Sequence, residues 1–209
     1  MKTPVEFALD VLDIALHPLQ ADALMGMAGH QLVVLACGRR GGKSLMSAVW
    51  ACYDACIRDL RKHQRPGEPR YVLLVAGSLT QARALFRTVL DMFKAPMLAP
   101  MVLGEPTQDE IRLVNGAILR VVPCSDRTTR GLPASTVILE ELASYTDTTG
   151  HQSGEAVYRA LAPSVAQLRG KAESSPYQAH GGNVGSSTGC SSKPPLGMTA
   201  TPCIVRPGS

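Results

Sequence analysis

Residues 38–44 read GRRGGKS, and they stand between the apolar run 31–36 (QLVVLA) and a helical pattern that begins at Lys43. Few junctions constrain a fold as strongly. Glycines let the backbone curl until successive N–H groups converge, and a helix N-terminus adds partial positive charge. In such a loop Gly38, Gly41 and Gly42 shape the cradle, Lys43 reaches the β- and γ-phosphates, and the Ser44 hydroxyl can ligate Mg²⁺. The strict pattern G-x-x-x-x-G-K-[ST] is missed by one residue, because Cys37 holds the place of the first glycine. The agreement of strand, glycine turn, Lys-Ser and helix favours a phosphate loop for a nucleoside triphosphate such as ATP over a chance GKS.

The rest of the chain supplies elements for the α/β class. Thr3, Pro4 and Glu6 are spaced as a capping box with proline at the first helical position. A second helix follows His17-Pro18 and should end near Gly29. Met46, Val49, Trp50, Tyr53, Ile57 and Leu60 form one apolar stripe, which predicts a helix over residues 43–62. Residues 71–76 (YVLLVA) read as a strand buried on both faces, and Ser78 with Gln81 opens a helix reaching about Lys94. Residues 111–122 are two strands about Asn115-Gly116, a strong hairpin signal. Residues 136–139 give a further strand, and 155–168 a last helix with Pro163 as a kink or break. The expected fold is therefore an α/β P-loop NTPase: a mostly parallel sheet with helices on both faces and an added β-hairpin.

Composition narrows the class. Hydrophobic residues make up 45% and charged residues 18%, which suits a globular chain, and no apolar run is long enough to cross a bilayer. A net charge of +4 permits a polyanionic partner without arguing for one. The six cysteines form no Cys-x-x-Cys pair and have no histidine at zinc-ligand spacing, the pattern of reduced cytoplasmic thiols. Residues 181–209 are rich in Gly, Ser, Pro and Thr and show no period, so residues 179–209 are expected to be a disordered tail behind an ATPase domain at 1–178.

A phosphate loop needs a carboxylate at the end of a neighbouring strand to hold Mg²⁺, and a second to orient the attacking water. Residues 137–141 (VILEE) fit. Glu140 is expected to face the metal and Glu141 the water, because successive side chains at a strand end point differently.

Taken in order, these segments resemble the ATPase domain of the large terminase subunit of tailed bacteriophages, a DNA-packaging motor. HPLQADAL at 17–24 is similar to the adenine-recognition segment, with Gln20 as the adenine contact. LACGRRGGKS resembles that family's deviant Walker A motif, with Arg39 four residues before the lysine. VILEELASY resembles Walker B, and SSPY at 174–177 the coupling motif, with Ser174 and Ser175 linking hydrolysis to DNA movement. The resemblance implies ATP hydrolysis with Mg²⁺, catalysis by Glu141, Arg39 and Lys43, and double-stranded DNA as the translocated partner. It also implies a portal, a small terminase subunit and a homo-oligomer as partners, in the cytoplasm of a host cell. The chain departs from the family pattern in four places. Glu140 replaces the usual aspartate, Cys37 replaces a glycine, and 169–173 (RGKAE) is polar where an apolar strand should precede the coupling motif. The family's nuclease domain is expected to be absent, as a truncated or frame-shifted gene would leave it. A remnant that binds nucleotide without turnover is the alternative these departures leave open.

Overall fold

A computed structural model describes residues 2–30, 32–35, 40–58, 67–123, 132–141, 145 and 154–169. Helix α1 (Pro4–Asp10) opens on the expected capping box. The Thr3 hydroxyl accepts the Glu6 N–H at 3.2 Å, and the Glu6 carboxylate accepts the Thr3 N–H at 2.7 Å. Helix α2 (Pro18–Gly29) starts with His17 as its N-cap, where the ring Nδ1 accepts the Leu19 N–H at 3.4 Å. Helix α3 (Lys43–Cys56) begins directly after Gly42.

Strand β1 (Arg70–Ala76) is buried along nearly all its length and leads through Ser78, the N-cap, into α4 (Leu79–Met92). A 3₁₀ turn (Ala99–Met101) precedes the hairpin β2 (Glu110–Arg112) and β3 (Ala117–Pro123). Strand β4 (Ala134–Glu140) and helix α5 (Gly154–Arg169) complete the described elements. The sheet order is β2-β3-β1-β4, with β1 parallel to β3 and to β4 and only the hairpin antiparallel. Leu113 N–H bonds the Ala117 carbonyl across a three-residue connection in which Gly116 has φ +83°. A side chain there would be strained, which is why Asn-Gly marked this turn.

Helices cover both faces of the sheet. Val72, Leu74 and Ala76 of β1 join α1 to α4 in the larger core, with Phe7, Leu24, Met46, Trp50 and Phe86. Leu73 and Val75 point the other way, onto Val157 and Leu161 of α5 and onto Tyr145. The strict alternation along β1 is what a strand buried on both faces requires. The Tyr145 hydroxyl donates to the Val75 carbonyl at 2.8 Å, so its one polar atom is satisfied inside this second core.

Three expectations need correction. Residues 32–35 are not a strand: they pair with none of the described strands, and Leu32 and Val34 are 40% and 48% exposed. A doubly buried strand needs sheet neighbours for its backbone groups and apolar cover on both sides, and here only Leu35 packs against the core. Helix α3 was expected to reach residue 62 but ends at Cys56, because Arg70 takes its last carbonyls. The buried guanidinium donates to the Asp54 oxygen at 3.0 Å and to the Ala55 oxygen at 2.9 Å, where a further helical turn would place N–H groups. Asn115 Nδ2 also donates to the Ala55 oxygen, at 2.8 Å. Helix α5 runs through Pro163 without a break; that proline is exposed. The tail at 179–209 lies outside the described residues.

Strand β4 carries one irregularity. Tyr71 is opposite Ala134 but Val72 is opposite Thr136, so Ser135 is an extra residue, a β-bulge.

Candidate functional site

The loop enters α3 through Gly42, whose φ of +79° lies in the left-handed region. No side chain caps this helix, so its first N–H groups are not taken up by a cap. Arg40, just before, is exposed and also left-handed at φ +63°, a conformation that costs a non-glycine residue about 1 to 3 kcal/mol. Lys43 and Ser44 are the first two residues of the helix, which puts an ammonium and a hydroxyl at its positive end.

Glu140 closes β4 on the α3 side of the sheet, opposite Ala76. The Ser44 hydroxyl donates to Glu140 Oε1 at 2.8 Å. That bond joins residues 96 apart in sequence, and it joins the two groups expected to share a metal. Glu141 follows at φ +52°, so the chain turns sharply at the strand end, and its side chain is exposed. Strained residues concentrate at sites that must aim a group.

Gln20 lies between the start of α2 and Gly42. Its Oε1 accepts the His17 N–H at 3.1 Å, closing the cap of α2. Its Nε2 rests over Gly42, only 2.3 Å from where a Cβ would stand. Gln20 therefore packs directly against the glycine that precedes α3. Of the remaining candidates, Gly41 is exposed beside it, while Gly38, Arg39, Ser174 and Ser175 lie outside the described residues.

The donor set suits Mg²⁺. A hydroxyl and a carboxylate are hard oxygen ligands, and this ion is held by one or two carboxylates with water and substrate phosphates rather than by a protein cage. Among the described residues there is no group of three or more His, Cys, Asp or Glu side chains that could hold a metal. A shallow depression of about 440 Å³ lined by Arg87, Leu90, Lys94 and Pro106 lies elsewhere on the surface, and none of the site residues lines it.

No protein-family model matches the sequence, and no curated protein is similar enough to be matched. Solved structures are. The large terminase of bacteriophage HK97 superposes with a TM-score of 0.58 at 19% identity, over 77% of this chain and 35% of that one. A mutant of the ATPase domain of the Thermus phage P74-26 large terminase gives 0.54 at 20% identity, over 79% of this chain and 66% of that one. The fold is that of a large-terminase ATPase domain. The chain spans about a third of the HK97 protein and just under two thirds of the P74-26 domain. Within this terminase-type fold the Ser44 hydroxyl at the start of α3 meets Glu140 at the end of β4.

Two contributors were not legible as site residues. Asp54 and Ser135, both fully buried, hydrogen-bond each other between α3 and β4. An aspartate within the apolar part of a helix and a serine within an apolar strand were the available signals.

Proposed function

We propose that this chain is the ATP-hydrolysing motor domain of a phage large terminase, which powers packaging of double-stranded DNA. The observation that carries the proposal is the Ser44–Glu140 contact at the N-terminus of α3. It brings the hydroxyl of the GKS loop to the first of two carboxylates at a strand end, in a fold shared with terminase ATPase domains.

On this reading the N-terminal N–H groups of α3 and the Lys43 ammonium bind the β- and γ-phosphates of ATP. Ser44 and Glu140 would hold Mg²⁺, which when bound neutralises phosphate charge. Glu141, turned out at the end of β4, accepts a hydrogen bond from the attacking water and aligns it with the γ-phosphorus. The bond to the β-γ bridging oxygen breaks as the water oxygen bonds, leaving ADP and inorganic phosphate. Lys43, with Arg39, stabilises the charge that develops, and Gln20 touches the adenine. Ser174 and Ser175 couple turnover to DNA movement. The portal, a small terminase subunit and further copies of the chain are the partners this function needs, and the host cytoplasm is its place. No described helix is long and apolar enough to cross a membrane.

The test is Mg²⁺-dependent ATP hydrolysis by the purified chain, with Glu141→Gln and Lys43→Ala alongside. Turnover should fall at least ~100-fold in Glu141→Gln with ATP binding retained, since positioned general bases contribute about 10² to 10⁴. Lys43→Ala should lose binding. ATP affinity and rate unchanged in Lys43→Ala would overturn the assignment. Binding without turnover in the unmodified chain would instead favour the remnant, for which the Glu140-for-Asp exchange is the specific motive.

A further inference from the structure

In a strand, residues of equal parity share a face, so a one-residue insertion moves everything after it to the opposite side. Ala134 and Glu140 have equal parity in sequence, yet they face opposite sides. Ala134 packs in the α5-side core with Leu73, Val75 and Tyr145. Ile138, opposite Leu74, lies in the α3-side core, and Glu140, opposite Ala76, reaches Ser44 on that side. The extra residue that makes the difference is Ser135.

Its side chain is held. The Ser135 hydroxyl donates to Asp54 Oδ2 at 2.5 Å and lies 3.3 Å from the Tyr71 carbonyl, across the bulge. Asp54 is itself fixed by Arg58, whose guanidinium reaches Oδ1 at 2.6 Å. Two hydrogen bonds thus tie α3 to β4, Ser44 to Glu140 at one end and Asp54 to Ser135 at the other. Their spacings agree. Ten helical residues from Ser44 to Asp54 span about 15 Å at about 1.5 Å each. Five strand residues from Ser135 to Glu140 span about 16 Å at about 3.3 Å each. A slip of either element by one residue would break one of the two bonds.

We propose that Ser135 and Asp54 are the positioning pair of this ATPase site: the bulge, pinned to the phosphate-loop helix, turns Glu140 onto the Ser44 face and fixes its distance along the helix. This rests on the reading of Ser44 and Glu140 as the metal pair and adds the residues that set their register. Neither Ser135 nor Asp54 touches the nucleotide. Removing the pin should loosen Glu140 while leaving phosphate binding by Lys43 and the α3 N-terminus in place.

The experiment compares the wild-type chain with Ser135→Ala and with Ser135→Cys, which keeps the volume but hydrogen-bonds weakly. Circular dichroism confirms folding, and if Ser135→Ala does not fold the comparison runs on Ser135→Cys. ATP affinity is measured in EDTA and then across a Mn²⁺ titration, with Mn²⁺ standing in for Mg²⁺. Metal-free affinity should stay within about twofold, whereas the Mn²⁺ concentration for half-maximal tightening should rise at least ~tenfold. A general loss of structure would weaken both. Independently of nucleotide, a double-mutant cycle of Ser44→Ala and Glu140→Ala is read in urea unfolding. A coupling of about threefold in the unfolding constant should be present in the wild-type background and absent in the Ser135 variant. Unchanged coupling and unchanged Mn²⁺ dependence would refute the proposal. If the wild-type chain binds no metal-nucleotide at all, the ATPase reading falls, and the cycle alone decides the positioning role.

Discussion

Replacing Gly42 by alanine perturbs the entry to α3 in two separable ways. The residue sits at φ +79°, where an L side chain costs roughly 1 to 2 kcal/mol. Its new Cβ would also stand 2.3 Å from Gln20 Nε2, far inside contact distance. The Gln20 amide can swing aside, but it must then release the His17 N–H that it accepts at 3.1 Å. Losing that bond costs about 0.5 to 1.5 kcal/mol, so Gly42→Ala should destabilise the chain by roughly 2 to 3 kcal/mol. Gln20→Ala alone should cost only about 1 kcal/mol, the same lost bond. The double variant has no amide to displace, so it should cost about as much as Gly42→Ala alone. The expected non-additivity is about 1 kcal/mol, readable from urea midpoints of the four chains at equal m-value. ATP affinity should fall in both chains that carry Gly42→Ala, because the loop N–H groups are re-aimed. Strict additivity of the two changes, or a Gly42→Ala chain within about 0.5 kcal/mol of wild type, would sink the reasoning, since that is the scatter expected of a neutral surface change.

Three further outcomes follow from the geometry. Arg70→Met should destabilise by about 1 to 3 kcal/mol in urea unfolding, because it removes the guanidinium donors from the Asp54 and Ala55 carbonyls at the end of α3; a change under about 0.5 kcal/mol would deny Arg70 its capping role. Burial pushes the Cys56 thiol up to about 12 and Cys52 well above its usual range. The unfolded chain therefore ionises near pH 9 while the folded one does not, so stability should be intact below pH 9 and fall as pH rises toward 12. Urea midpoints at about pH 7, 9 and 10.5 check this, and Cys56→Ala should flatten the fall. On the acid side, hydrogen bonds from Arg83 hold Asp109 below the ordinary carboxylate range. Burial pushes Glu110 up, but hydrogen bonds from Arg112 and Arg120 outweigh it and leave its pKa lowered. Both contributions are present above pH ~4.5 and lost as pH falls through the depressed values; thermal melts from about pH 6 to 3 should show the loss, shallower in Arg83→Ala.

Local sequence determined whatever depends on residues a few positions apart. The caps at Thr3 and Ser78 and the turn at Asn115-Gly116 are set by short-range sterics and hydrogen bonding. The same holds for the loop at Gly42 to Ser44, whose left-handed glycine and helix start are written in GGKS. Pairing across the sheet was not local. Residues 32–35 have the composition of a strand, yet strand character requires a neighbour to take its backbone groups, and no described strand does so. The end of α3 was decided by Arg70, well beyond Cys56 along the chain. The facing of Glu140 was decided by where an extra residue sits against β1, which alternation read along β4 alone could not reveal. Sequence named Ser44 and Glu140 as candidates for one site. Only the packing of α3 against β4 decided that Ser44 and Glu140 share a face, because a hydrogen bond across 96 residues depends on the register of two elements and on neither alone.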